Sequence, residues 1–190
     1  MKELKNVFKL IIFPAQTWGY VLQGGVPSAT IERNLFYPLI GVTALSCFCQ
    51  MFYFDELKLS AAIISAIVNF ASYFLGYIVS VMAIAWMLGK IAEKNSKISE
   101  GRIKKLVMMN LSVLMILAIL QNLLPTSLIL LELFKLYLLF IISKSLSYFP
   151  IQGENRSYYV LGVFVAVMFS VELVRLVFNL IMPEITSNKY

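Results

Sequence analysis

LSAAIISAIVNFASYFLGYIVSVMAIAWMLG, residues 59–89, decides the fold class. It carries no Lys, Arg, Asp, Glu or His. About 20 apolar residues suffice to cross a bilayer as a helix. This run would reach about 46 Å at helical rise, more than a hydrocarbon core of about 30 Å, so the helix is expected to tilt, kink or protrude. Ala62, Asn69, Gly76 and Ala83 recur every seven residues along it, with Ser65, Ser72 and Ser80 beside them. Ser72, Gly76 and Ser80 have the small-xxx-small spacing that lets helix backbones approach closely in lipid. The seam predicts a packing face, and makes this helix the expected most buried member of a bundle. A substrate path along the seam is the alternative reading.

Working outward, four more apolar runs appear, at 35–54, 106–124, 126–146 and 158–182. The first has Pro38 near its start and ends in Phe52, Tyr53 and Phe54 before Asp55 and Glu56, an aromatic belt followed by charge. The expected architecture is an all-α membrane protein, a bundle of five transmembrane helices preceded by one or two interfacial amphipathic helices. Its parts would be N-terminal helices and a connector at 1–34, a membrane domain at 35–182 and a short tail at 183–190. The whole composition agrees: of 190 residues, 60% are hydrophobic and 14% charged, against about 45–50% and about 25% in soluble domains. A disordered chain, a secreted disulfide scaffold and a soluble enzyme are thereby excluded. Five spans leave no room for a nucleotide-binding domain.

At the N-terminus, Leu4, Val7, Phe8 and Ile11 share one helical face, with Lys2, Lys5 and Lys9 opposite. That pattern predicts an interfacial helix whose basic side suits anionic lipid; an ordinary packing helix on the cytoplasmic side is the alternative. The lysines interrupt the run too often for a signal-peptide core, so this segment is expected to be retained. Pro14 suits the start of a second short helix ending at Gly24-Gly25, with Trp18 and Tyr20 as headgroup-depth anchors. Residues 26–34 read as a polar connector.

Lys and Arg set the orientation. Lys2, Lys5, Lys9, Arg33, six basic residues in the 90–105 loop, Lys144 and Arg156 fall on one side, and only Lys58 and Lys189 on the other. The bias predicts a cytoplasmic N-terminus, an outer C-terminus and an inner-membrane location. It also accounts for the net charge of +6 without invoking nucleic acid. The centre of the 90–105 loop is expected to be mobile.

Chemistry has little to work with. There is no His, and the two cysteines are Cys47 and Cys49, about 200° apart on a helix, which reads as small apolar filling. No cofactor, metal or catalytic motif is expected. The intramembrane charges say more. Glu132 and Lys135, and Glu172 and Arg175, are acid–base pairs three residues apart, and charge at membrane depth is costly enough to be paired or functional. Counting depth along antiparallel neighbours sets Glu132 level with Arg175 and Lys135 level with Glu172, a neutral quartet that predicts a lock between the fourth and fifth spans.

Several short motifs resemble the bacterial Yip1-domain membrane proteins. These are Ile12-Phe13-Pro14-Ala15-Gln16-Thr17-Trp18, the Tyr37-Pro38 that opens the first span, Tyr137-Leu138-Leu139-Phe140, and Pro150 with Glu154-Asn155-Arg156 and Tyr158 ahead of the last helix. Ile141-Ile142-Ser143 stands where the family often has a glycine, and the basic loop lacks a glycine-rich segment. The resemblance implies five spans and a cytoplasmic N-terminus. Eukaryotic relatives are secretory-pathway membrane factors that associate with small GTPases and with each other. The leading expectation is a non-enzymatic membrane protein acting through contacts with lipids, with itself or with another membrane protein. A small transporter or channel with a polar site formed by spans two, four and five is second, and a membrane lipid-modifying enzyme third.

Overall fold

The computed structural model describes residues 2–53, 58–92, 98–124, 129–151 and 155–181. The side chain of Glu132 and residues 93–97 of the basic loop, which include the first part of its expected mobile centre at 95–100, lie outside the described residues. The regular elements are all helical: α1 (Lys2–Ile12), α2 (Pro14–Gln23), α3 (Ser28–Ile31), α4 (Tyr37–Ser46), α5 (Leu59–Ala92), α6 (Glu100–Leu123), α7 (Ile129–Ser145) and α8 (Arg156–Ile181).

Proline and glycine explain the punctuation at the N-terminus. Pro14 occupies the first turn of α2, where a missing N–H costs nothing. The helix ends at Gln23, its Gly24 N–H closing on the Tyr20 carbonyl at 2.9 Å, and Gly25 takes φ +70°, a conformation that only glycine adopts without strain. The connector expected at 26–34 is largely helical instead. α3 runs into a π-helical turn at Glu32–Phe36 and then into α4, and a 3₁₀ segment at Cys47–Phe52 completes one continuous 25-residue rod, Ser28–Phe52. Pro38 in the first turn of α4 accounts for the π turn. It has no N–H to donate, and its ring would crowd the carbonyl four residues back, so the helix widens just ahead of it. Four polar residues at 30 and 32–34 made this entrance look like a loop.

Among the described residues, four helices are long and apolar enough to cross a membrane: Ser28–Phe52, Leu59–Gly89, Glu100–Leu123 and Arg156–Ile181. α7 is shorter, at 17 residues. It lies among these helices, packed on α2, α6 and α8.

The second span is not the most buried, contrary to the expectation from its small-residue seam. That position belongs to α6, with 61% of its most apolar stretch buried against 28% for α5. α6 touches each of the other seven helices and buries Leu106, Met108, Met109, Leu111 and Met115 almost completely. α5 instead packs one face on α8 and α4 while Ile63, Ile67, Phe70, Phe74, Met82 and Trp86 face outward. A seam of small residues marks one close contact, and in lipid the rest of the helix needs no protein cover.

The bundle has two recognisable ends. At one, Lys105 near the start of α6 donates to the Val21 carbonyl of α2 at 3.1 Å. Toward the same end, Arg156 at the start of α8 reaches the Ser143 carbonyl of α7 at 2.6 Å. At the other, Asn122 near the end of α6 meets Ser46 and Gln50 at the end of the first rod. Arg175, late in α8, meets Asn69, early in α5. The helices therefore run alternately up and down.

Candidate functional site

Two polar assemblies stand out, one at each end. The first is a hydrogen-bonded layer at the end remote from α1 and α2. Gln50 Nε2 donates to Asn122 Oδ1 at 2.8 Å, and Asn122 Nδ2 donates to Ser46 Oγ at 2.8 Å. Asn69 Nδ2 reaches Cys47 Sγ at 3.0 Å and the Ser65 carbonyl at 3.1 Å, while Asn69 Oδ1 accepts from Arg175 at 2.8 Å. Arg175 also pairs with Glu172 at 2.9 Å and lies 5.7 Å from the centre of the Tyr73 ring. One network thus joins the first rod, α5, α6 and α8, satisfying polar groups that would be costly in lipid.

The layer corrects the reading of Cys47 and adds a partner to Arg175. Cys47 is not simple filling; its sulfur lies within the network, while Cys49, on a different side of the helix, is half-buried. Among the described residues, Arg175 binds Glu172 on its own helix and Asn69 on α5; Glu132, the partner that the expected lock assigns to it, has its side chain outside the described residues. At i, i+3 the Glu172 carboxylate is within local reach, and Asn69 offers a neutral acceptor across the tight α5–α8 contact. Lys135 of α7 does border the same small cleft as Glu172, Arg175, Tyr73 and Gln121, a space of about 30 Å³, enough for about one water. Three of the four charges are therefore gathered at one place; the Glu132 side chain is outside the described residues.

The seam on α5 divides. Ala62, Ser72, Gly76 and Ser80 are buried, Ser65 and Asn69 are half-buried, and Ala83 is exposed. Ser80 Oγ contacts Ser170 Oγ and the Ala166 carbonyl of α8. A Cβ added at Gly76 would come within 3.2 Å of the Val171 backbone. Heptad counting put Ala83 on the seam, but the helix continues through Ile84 and Leu88, both fully buried. A straight helix drifts about 20° per heptad, which carries the contact one residue along.

The second assembly is the α1–α2 pair. Trp18 is fully buried, and its indole N–H donates to the Ile141 carbonyl of α7 at 3.0 Å. Tyr137 Oη donates to the Ile11 carbonyl, and Tyr148 Oη to the Ala15 carbonyl, each at 2.9 Å. Trp18 is thus an anchor into the bundle, whereas Tyr20 remains exposed. α1 presents three sectors. Asn6, Val7 and Leu10 are buried; Leu4, Phe8 and Ile12 are exposed and apolar, with Ile11 half-buried; Lys5 and Lys9 are exposed on the remaining side. The sequence pattern gave Leu4, Val7, Phe8 and Ile11 to one apolar face, and did not single out Leu10. The 3.6-residue repeat locates an apolar arc without saying which part meets protein.

Between α1 and α2 lies an open cleft of about 640 Å³, bordered by Lys5, Asn6, Lys9, Phe13, Gln16, Thr17 and Tyr20. Thr17 turns its hydroxyl back to the Phe13 carbonyl at 2.9 Å. Asn6 donates to Glu3 at 2.9 Å. Among the described residues no three metal-ligating side chains come together.

No protein-family model, curated protein or solved structure matches the chain.

Proposed function

We propose that this is a five-span, Yip1-type inner-membrane protein without catalytic activity, with its N-terminus in the cytoplasm and its C-terminus outside, acting through lipid or protein contacts made by α1 and α2. The observation that carries the reading is the docking of this pair. Three side-chain-to-backbone hydrogen bonds, from Trp18, Tyr137 and Tyr148, fasten it to α7 and the turn that follows. Its lysines and the apolar side chains of Leu4, Phe8 and Ile12 are left facing outward. Two of the motifs behind the family resemblance also lie near each other: Trp18 of 12–18 bonds Ile141, the residue after the Tyr137–Phe140 motif, and Tyr137 bonds Ile11, the residue before 12–18. That convergence supports treating them as one structural unit. The narrow space beside the far polar layer favours a packing role for that layer over a solute path.

A photoreactive amino acid at Phe8 in native membranes is expected to give phospholipid adducts. Reconstituted protein is expected to conduct no solute. Saturable flux in proteoliposomes, abolished by Asn69→Leu, would instead assign the transporter reading.

A further inference from the structure

The cleft between α1 and α2 combines two kinds of surface. Lys5 and Lys9 stand one helical turn apart on its α1 wall, and Gln16 and Tyr20 one turn apart on its α2 wall. Among the described residues neither lysine takes part in an ion pair, and the nearby Glu3 carboxylate accepts from Asn6. The four side chains offer two ammonium groups, an amide and a phenol, a donor set suited to a phosphate and its neighbouring hydroxyls. Next to the lysine row runs an exposed apolar strip of Leu4, Phe8 and Ile12, continued by Phe13 at the cleft's edge, with Phe8 49% and Ile12 66% exposed.

We infer that this cleft is a headgroup site for an anionic phospholipid. The phosphate lies on Lys5 and Lys9, the polar remainder of the headgroup faces Gln16 and Tyr20, and an acyl chain follows Phe8, Ile12 and Phe13. A free phosphate would use the lysines and leave the apolar strip idle; an amphiphile uses both. The inference rests on the reading that places α1 and α2 at the membrane surface, and it gives that surface a specific ligand class.

The test uses the full-length protein in a neutral detergent. Native mass spectrometry would count bound phosphatidylglycerol and phosphatidylcholine, and thermal unfolding would be followed with each lipid and with sodium phosphate. Phosphatidylglycerol is expected to be retained and to raise the Tm, with little effect from the other two. The Lys5→Gln/Lys9→Gln double variant should unfold like the parent without lipid, since both side chains are exposed. It should bind phosphatidylglycerol about tenfold more weakly. Lys5→Arg/Lys9→Arg should keep binding, and Lys58→Gln, at the far end, should not alter it. Equal retention of phosphatidylcholine, or undiminished phosphatidylglycerol binding by the Gln double variant, would overturn the site. Protection by sodium phosphate equal to that by phosphatidylglycerol would overturn the lipid assignment in favour of a soluble phosphate. Crosslinking at Phe8 in native membranes is a separate readout. Its failure alongside selective lipid binding in detergent would count against the surface location and leave the cleft's selectivity standing.

Discussion

At the scale of single residues, Asn69 has the most consequential placement. From α5 it donates to Cys47 and accepts from Arg175, so one amide bridges the first rod and α8. Its side-chain carbonyl can accept and its NH₂ can donate, which fits the bridge in one orientation. Interhelical hydrogen bonds in membranes average about 0.6 kcal/mol and reach about 1.7, and those to a charged group are worth about 1.5–3 kcal/mol. A double-mutant cycle between Asn69→Leu and Arg175→Met should therefore give a coupling of about 1–2 kcal/mol in reversible detergent unfolding. Asn69→Leu with Lys135→Met should give much less. Equal couplings would count against a direct Asn69–Arg175 bond. Depth counting was legible because helical rise is fixed, and it did bring Lys135, Glu172 and Arg175 to one cleft. What it could not supply was the Asn69 amide as a further partner of Arg175. A guanidinium has five N–H donors and can bind an amide as well as a carboxylate, and periodicity alone does not show the amide. Cys47 was misread for the same reason: the helix phase of a thiol was visible, but not the amide opposite it.

At the scale of elements, the α5–α8 contact is the closest approach in the bundle with a sequence signature. Gly76 sits where any side chain would press on Val171, with both its Cγ2 and its backbone within 3.2 Å of an added Cβ. Backbone atoms cannot give way as a flexible side chain can. Gly76→Val should therefore separate the helices, destabilising by about 1–3 kcal/mol, and should loosen the Ser80–Ser170 contact one turn away. Ala83→Val, on an exposed side of the same helix, should change the Tm little. Similar losses for the two variants would mean that the seam is not a helix contact. The pattern of small residues located this interface, yet it did not rank the helices by burial. α6 has apolar residues all round and no favoured face, so its central position leaves no periodic signal. Its neighbours show their lipid-facing and protein-facing sides as the same kind of residue.

At the scale of the molecule, α7 decides the topology. Seventeen residues span about 26 Å as a helix, near the lower limit for crossing. Its early turn carries Lys135, bordering the cleft with Gln121 and Arg175 at the far end. Its later part meets Trp18 through Ile141 and holds Arg156 through Ser143, both at the α1–α2 end. Contacts at both ends of the bundle support the proposed fifth span; a helix that turned back would keep both its ends beside Lys135. The basic residues fall the same way. Lys5, Lys9, Arg33, Lys104, Lys144 and Arg156 belong to the α1–α2 end, and Lys58 precedes α5 at the other. Asn155 is the discriminating position, because it follows α7 and is exposed at the start of α8. With α7 crossing, Asn155 shares the cytoplasmic side with Arg33; with α7 turning back, it shares the outer side with Lys58. In a Cys49→Ser background, an impermeant maleimide should label Lys58→Cys in intact cells and Asn155→Cys only after the membrane is opened. Labelling of both in intact cells would reduce the spans to four, bring the two termini to the same side and detach α7 from the positive-inside argument. Labelling of Asn155→Cys alone in intact cells would invert the whole protein and place the basic cleft of α1 and α2 outside.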